Sequence, residues 1–179
     1  MNVHAAFERI RSRPIIATVR APSADLAVRA ANAAVAGGIK VVEVPLTVPG
    51  AYRVISDLRR EHGDSILVGA SSVLSTEAVD RAMKSGAQFA TSPHTSFQVL
   101  DFCKARGLLA IPGGATPTEI MAAWTYGIPM VKVFPAALLG EAAYLKSLKE
   151  ALGDVRLVPE GGVGLETIAA YFQIGRAHV

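Results

Sequence analysis

The chain has 179 residues, of which 51% are hydrophobic and only 18% are charged. This length fits one domain with a sizeable core, and the low charge content indicates that many strands are buried on both faces. The formal net charge of +3 comes from scattered basic residues without interleaved aromatics, which argues against nucleic-acid binding and suits a small anionic substrate.

Short β-branched, apolar runs alternate along the chain with Ala-rich segments of helical period. In chain order, they predict strands at residues 14–19, 40–44, 66–69, 88–91, 108–111, 130–134 and 156–158. The predicted helices between and after them are residues 24–36, 51–60, 76–84, 96–106, 117–126, 141–152 and 165–173. Strands that alternate with helices in this way predict parallel pairing through crossover helices.

The number of these strand–helix units favours a barrel. Seven units fit the chain, whereas a closed (β/α)₈ TIM barrel needs eight, so we expect an α/β barrel truncated after the seventh βα unit, with impaired activity. An open doubly wound sheet also fits seven strands, but no G-x-G-x-x-G turn follows the first strand. We therefore expect residues 1–173 to form a single barrel domain without the eighth unit. Residues 174–179, which match a translated sequencing adapter, are expected to be a non-native tail.

Other features bear on the cellular compartment. No apolar run approaches the roughly 20 residues that a membrane span needs, and the N-terminus lacks the apolar segment of a signal peptide. The single cysteine, Cys103, rules out an internal disulfide and fits a reducing compartment. We expect a cytoplasmic protein with no membrane partner. The histidines show no metal-ligand spacing, so we expect no metal site.

Two charged residues lie inside apolar strands. Lys132 is flanked by Val131 and Val133, and Glu43 lies within the run Lys40–Val44. In a barrel of this class, residues at the carboxyl ends of strands carry the chemistry. Burial favours the neutral, nucleophilic form of a lysine amine, as Schiff-base chemistry requires, and a nearby carboxylate can move protons. A buried structural ion pair between the two is an equally good interpretation of the pattern alone.

Several loop residues after predicted strands are weaker candidates. Gly161 and Gly162 precede a helix, where backbone N–H groups can approach a phosphate, although a plain tight turn is the simpler interpretation. Arg20 could clamp an anionic group or be a surface cation. Ser72 and Thr116 could hydrogen-bond a substrate, but hydroxyl residues at loops are more often caps or turns.

Six segments, in order along the chain, resemble motifs of the 2-keto-3-deoxy-6-phosphogluconate (KDPG) aldolase family. They are residues 37–49 (GGIKVVEVPLTVP), 68–74 (VGASSVL), 88–94 (QFATSPH), 111–119 (IPGGATPTE), 131–136 (VKVFPA) and 158–163 (VPEGGV). Each motif alone is modest, but six collinear motifs over nearly the whole chain are specific to this family.

The resemblance implies a homotrimeric (β/α)₈ barrel that uses neither metal nor cofactor. It implies that Lys132 is the Schiff-base lysine, that Glu43 is the acid/base residue, and that Gly161 and Gly162 hold a phosphate. The other substrate-binding residues that it implies are Arg20, Thr47, Ser72, Pro93, Thr116 and Phe134. The implied reaction of the Entner–Doudoroff pathway cleaves the keto-deoxy phospho sugar acid to pyruvate and glyceraldehyde 3-phosphate.

The chain departs from the family pattern at a few positions. Glu160 stands where the family usually has threonine, and a carboxylate beside a phosphate site is unfavourable unless it points away or is paired. Ser71 and Ser72 replace Gly-Thr, and Thr47 stands where some members carry arginine. These departures leave open a 6-phosphogalactonate-derived keto acid, a non-phosphorylated keto acid or 4-hydroxy-2-ketoglutarate as the substrate. Another enzyme on a phosphate-binding barrel and a non-catalytic barrel binding protein are the further alternatives.

Overall fold

The computed structural model of the protein describes residues 2–174. These residues divide into two compact units, one of residues 2–91 and 97–110 and the other of residues 92–96 and 111–174. In each unit, helices connect strands that pair in parallel. No helix of the described part of the chain is long and apolar enough to span a bilayer.

The first sheet has five strands in the order β1-β2-β3-β4-β5, which is also their order along the chain. Neighbours from β1 to β4 pair in parallel, and a helix connects each strand to the next, as parallel pairing requires. In chain order, the elements are α1 (Val3–Ser12), β1 (Ile16–Thr18), α2 (Ala24–Ala36), β2 (Val41–Pro45), α3 (Ala51–His62), β3 (Leu67–Ser71), α4 (Thr76–Lys84), β4 (Phe89–Thr91), α5 (Phe97–Ala105) and β5 (Leu109–Ile111).

The second sheet has three parallel strands in the order β6-β7-β8. Its elements are β6 (Gly113–Gly114), α6 (Pro117–Thr125), β7 (Val131–Val133), a 3₁₀ helix (Ala136–Leu139), α7 (Glu141–Leu152), β8 (Leu157–Pro159) and α8 (Ile168–Gln173). Val131 and Val133 of β7 and Leu157 of β8 share one apolar core with residues of α6, α7 and α8. The helices therefore cover one face of this sheet.

The sequence pattern predicts most of these elements. Each of the seven predicted strands overlaps a strand of the structure, and the helices predicted at residues 24–36, 76–84 and 141–152 have the bounds of α2, α4 and α7. Serine caps explain two of these starts, because the Ser23 and Ser75 side chains accept hydrogen bonds from backbone N–H groups in the first turns of α2 and α4.

Three elements are absent from the sequence prediction: α1, β6 and the 3₁₀ helix. The helix α1 begins after Asn2, whose side chain accepts a hydrogen bond from Ala5 N, and it buries Ala6 and Ile10, which are four residues apart. Strand β6 consists of two glycines, a residue type depleted in strands, so no local pattern indicates it.

The last predicted helix was expected to begin at residue 165, but α8 begins at Ile168. A turn precedes it, in which Gly164 N donates to Thr167 Oγ1, and Leu165 is 96% exposed. The single barrel domain over residues 1–173 stays a prediction. Of the expected non-native tail, only Ile174 is among the described residues, and residues 175–179 lie outside them.

Candidate functional site

In the first unit, the buried carboxylate of Glu43 accepts hydrogen bonds from two side chains. Glu43 lies in β2, is 0% exposed and pairs in register with Thr18 of β1. Thr18 Oγ1 donates to Glu43 Oε1 and Thr91 Oγ1 donates to Glu43 Oε2, each at 2.9 Å. Because one carboxylate oxygen accepts a hydrogen bond from β1 and the other accepts one from β4, the side chain is held in one orientation.

Gly69 in β3 makes room for an aromatic ring beside this carboxylate's strand. Gly69 pairs with Glu43 on one side and with Phe89 on the other. A Cβ atom at Gly69 would lie 2.4 Å from Cζ of Phe89, so the ring occupies the space that any other residue would need. The glycine of the VGASSVL segment therefore has a packing reason in this structure.

Lys132 is the buried cation of the second unit. It lies in β7 and is 2% exposed, while its neighbours Val131 and Val133 belong to the apolar core under the helices. Because side chains alternate along a strand, the Lys132 side chain lies on the opposite face of the sheet. The Lys132 amide donates to Pro112 O at 2.8 Å, which fixes the strand on its β6 side.

The Glu160 carboxylate contacts this amine. Lys132 Nζ donates to Glu160 Oε2 at 2.5 Å, and the Glu160 side chain is 17% exposed. Lys132 pairs in register with Val158 of β8, and Glu160 lies two residues beyond Val158, on the same face. A carboxylate beside a phosphate site is unfavourable unless it points away or is paired, and in the structure Glu160 is paired.

The loop after β8 explains why two glycines follow Glu160. Gly161 and Gly162 both have a φ of 87°. A Cβ atom would lie 2.3 Å from Ala137 Cβ at Gly162 and 3.1 Å from Phe134 Cε2 at Gly161. Packing therefore requires glycine at Gly162, whereas the positive φ is the main reason for glycine at Gly161. The N–H groups of Gly161 and Gly162 donate no hydrogen bond to any acceptor within residues 2–174. They can therefore still bind an anion.

Thr116 has a structural role that accounts for part of its motif. Its hydroxyl group accepts a hydrogen bond from Glu119 N at 3.3 Å and donates one to Glu119 Oε2 at 2.9 Å. The Glu119 carboxylate also accepts from the N–H groups of Ala115 and Thr116, and these hydrogen bonds lower its pKa. The T-P-T-E sequence is thus the capping box of α6, with proline in the first turn.

The other predicted site residues lie near the carboxyl ends of strands. In the first unit, Arg20 and Thr47 are exposed and follow β1 and β2, and half-buried Ser72 follows β3 with a φ of 57°. In the second unit, Pro93 and Phe134 are half-buried. Within this unit, the Phe134 ring packs beside Gly161, and Lys132 donates a hydrogen bond to Glu160.

Sequence reasoning missed Thr18 and Thr91 as partners of Glu43, and Glu160 as a partner of Lys132. A signal for the threonines was present, because β1 (Ile-Ala-Thr) and β4 (Phe-Ala-Thr) both end on threonine at the face that Glu43 shares. Among the described residues, no group of three or more His, Cys, Asp or Glu side chains is arranged to hold a metal ion.

Comparisons with known proteins give one consistent result. Residues 7–179 match the family model described as KDPG and KHG aldolase. The 2-dehydro-3-deoxy-phosphogluconate aldolase of Treponema pallidum is 38% identical over 171 residues, which are 96% of this chain and 80% of that protein. The 2-dehydro-3-deoxy-6-phosphogalactonate aldolase of Escherichia coli is 33% identical over 165 residues, covering 92% of this chain and 80% of that protein.

A solved structure extends the likeness to three dimensions. It is the KDPG aldolase of Legionella pneumophila, in which pyruvate was captured at low pH as a covalent carbinolamine intermediate. The two structures superpose with a TM-score of 0.87 at 28% identity, over 99% of this chain and 84% of that one. This likeness confirms the predicted fold class, an α/β fold of the TIM-barrel type.

Proposed function

Because the chain belongs to the KDPG and KHG aldolase family, we propose that it is a class I aldolase that cleaves 2-keto-3-deoxy-6-phosphogluconate. The products are pyruvate and glyceraldehyde 3-phosphate, so the enzyme is a lyase. The observation that carries the proposal is the buried amine of Lys132, on the polar face of β7 and in contact with a carboxylate.

Lys132 is the proposed nucleophile. Burying a lysine is costly unless it is paired, and the structure pairs Lys132 with Glu160. Its amine attacks the C2 ketone of the substrate, and loss of water gives a protonated imine. The imine withdraws electrons from the neighbouring carbons, so that the C3–C4 bond breaks once the C4 hydroxyl loses its proton. Glyceraldehyde 3-phosphate leaves, and the remaining enamine is protonated and hydrolysed to pyruvate.

Glu43 is the proposed acid/base residue that takes the C4 hydroxyl proton. The support comes from its own unit, where the carboxylate is fully buried in an apolar strand and both oxygens accept hydrogen bonds from threonines. A carboxylate oriented in this way presents a defined lone pair to a proton, which general base catalysis requires.

The loop after β8 is the proposed phosphate-binding element. The N–H groups of Gly161 and Gly162 would donate hydrogen bonds to phosphate oxygens. Among the described residues, these two groups donate to no other acceptor. The further proposed substrate-binding residues are Arg20, Thr47, Ser72, Pro93, Thr116 and Phe134.

Related substrates are the main alternative. The likeness to the Escherichia coli 2-dehydro-3-deoxy-6-phosphogalactonate aldolase favours the galactonate-derived isomer as a second candidate. The third candidate is 4-hydroxy-2-ketoglutarate, which carries a carboxylate where the phospho sugar acids carry the phosphate-bearing fragment. A non-catalytic barrel that binds such acids without cleaving them is the alternative outside the enzymes.

We propose that the protein acts as a cytoplasmic homotrimer. In the first unit, Leu74 and Phe97 are 60% and 45% exposed, and these apolar side chains could be buried by a second copy. The single cysteine, Cys103, fits a reducing compartment.

Pyruvate release from the three candidate substrates tests the proposal. At equal enzyme and equal substrate concentrations, we expect 2-keto-3-deoxy-6-phosphogluconate to give the highest rate of pyruvate release. We expect Lys132→Arg to abolish release, because a guanidinium stays protonated and forms no imine. Lys146→Arg, on an exposed lysine of α7, is the matched control and should retain activity. Faster release from another substrate would correct the specificity, and no release from any of them would contradict the aldolase assignment.

A further inference from the structure

The contact between Lys132 and Glu160 has a consequence for imine formation. Lys132 Nζ and Glu160 Oε2 are 2.5 Å apart, closer than the roughly 2.7–2.9 Å of most hydrogen bonds between an ammonium and a carboxylate. We propose that Glu160 is a catalytic residue of this chain, which exchanges protons with Lys132 Nζ as the imine forms. The proposal rests on the proposed function of Lys132 as the Schiff-base lysine.

The backbone around Glu160 holds its side chain in position. Glu160 N donates to Val133 O at 3.0 Å, and Ala136 N donates to Glu160 O at 2.8 Å, so the residue is bonded on both sides to the segment that follows Lys132. The next residue is fixed in the same way, because Ala137 N donates to Gly161 O at 2.9 Å. The carboxylate is thus preorganised against the amine, as efficient proton transfer requires.

Solvent exposure distinguishes the two partners. The Lys132 side chain is 2% exposed, whereas the Glu160 side chain is 17% exposed. Glu160 can therefore pass a proton between the buried amine and water. A purely structural ion pair has no need of this connection to solvent.

The proton balance of imine formation assigns Glu160 a task at each step. The ammonium first gives a proton to the carboxylate, and the neutral amine attacks the carbonyl carbon while the carbonyl electrons move to oxygen. The oxygen then takes the proton from Glu160, and the nitrogen returns another proton to the carboxylate, which gives the carbinolamine. Glu160 finally protonates the hydroxyl, which leaves as water while the nitrogen lone pair forms the C=N bond. Glu160 is again a carboxylate, beside a cationic imine.

The charge of the lysine site is the same before and after these steps. The ammonium and the protonated imine each carry one positive charge, so the Glu160 carboxylate has a cationic partner in both states. The ion pair therefore does not have to be broken for the imine to accumulate.

The rate of imine formation with pyruvate tests this role. Pyruvate is mixed with the protein, borohydride is added after varied delays, and the adduct on Lys132 is quantified by mass spectrometry. General acid–base groups typically contribute about 10²–10⁴-fold, so we expect Glu160→Gln to slow adduct formation by about 100-fold or more. Glu160→Asp should retain part of the rate. Glu150→Gln, on an exposed carboxylate of α7, should match the wild-type chain.

Chemical rescue separates proton transfer from a structural role. Formate added to Glu160→Ala should restore the rate in proportion to its concentration, because a small carboxylate can occupy the vacated space and accept the proton. A slow variant that formate does not accelerate, or a Glu160→Gln variant as fast as the wild type, would overturn the proposal. In both cases the wild-type chain still forms the adduct, whereas no adduct in the wild-type chain would overturn the proposed function itself.

Discussion

Two buried charges, Glu43 in β2 and Lys132 in β7, interrupt strands whose other residues are apolar. An unpaired charge in such a position would be very costly, and each of the two is compensated within its own unit. Thr18 and Thr91 donate to Glu43, and Glu160 accepts from Lys132. The sequence predicts that both charges are buried, because each charged residue lies within an apolar run that has the pattern of a strand.

The partners of these charges were harder to predict. Thr18 and Glu43 are 25 residues apart in sequence, and Thr91 and Glu43 are 48 residues apart. Strand register decides these contacts, and a shift of one residue would move each side chain to the other face. In the sequence, Glu160 is distinguished only by its departure from a motif, because its contact with Lys132 depends on the pairing of β7 with β8.

Loss of either threonine donor should destabilise the protein. A hydrogen bond to a charged group contributes about 1.5–3 kcal/mol, so we expect Thr18→Val and Thr91→Val each to lower the free energy of unfolding by about that amount. Denaturant unfolding measures it. Thr125→Val is the control, since its exposed hydroxyl bonds only to carbonyls of its own helix. An equal loss in all three variants would contradict a specific role at Glu43.

At the scale of elements, the strand–helix periodicity predicts the helices from α2 to α8, and side-chain caps explain where α2, α4 and α6 begin. Elements without a local signal were missed. Strand β6 is two glycines, and it is a strand only because β7 pairs with it. At the start of the 3₁₀ helix Ala136–Leu139, Ala136 N and Ala137 N donate to Glu160 O and Gly161 O in the loop after β8. Each donor is 24 residues from its acceptor in sequence, so no local pattern predicts this element.

The loop after β8 should tolerate alanine at one glycine and not at another. Gly162→Ala forces a positive φ on a residue with a side chain and drives its Cβ against Ala137, so we expect a loss of about 1–3 kcal/mol in unfolding free energy. Gly164→Ala meets no atom within 4 Å and should change stability by less than about 1 kcal/mol. Thermal or denaturant unfolding compares the two variants. Equal stability would contradict the packing explanation for Gly162.

The capping box of α6 predicts a pH-dependent contribution to stability. Hydrogen bonds from Ala115 N, Thr116 N and the Thr116 hydroxyl lower the pKa of the Glu119 carboxyl below its ordinary value. The carboxylate therefore stabilises the folded state above the unfolded pKa, and this contribution is lost as the pH falls through the folded pKa. We expect Glu119→Gln to cost about 0.3–1 kcal/mol at pH 7 and less at pH 3. A difference between the two proteins that grows on acidification would contradict this.

At the scale of the whole chain, strand–helix periodicity and the collinear motifs were enough to predict the fold class. The solved relative with a TM-score of 0.87 confirms it. The division of the described residues into two compact units, at residues 91–97 and 110–111, could not be predicted. No linker, composition change or charge run marks those positions, because the division depends on contacts between elements.

The reactivity of Cys103 reports how rarely the folded first unit exposes this buried thiol to solvent. It is the only cysteine of the sequence, it is 0% exposed in α5, and burial raises the pKa of its thiol to about 11. The thiolate is the reactive species, so we expect a thiol reagent at pH 8 to label the folded protein at least about 100-fold more slowly than the unfolded protein. Labelling in guanidinium is the reference. Comparable rates would show that this unit opens readily.

Covalent trapping with pyruvate tests whether Lys132 is the Schiff-base lysine. The protein is incubated with pyruvate and borohydride, and peptide mapping locates the reduced adduct. We expect one pyruvate-derived adduct, on Lys132, and none in Lys132→Arg. An adduct on another lysine, or no adduct in the wild-type chain under conditions that label a known class I aldolase, would contradict this role of Lys132.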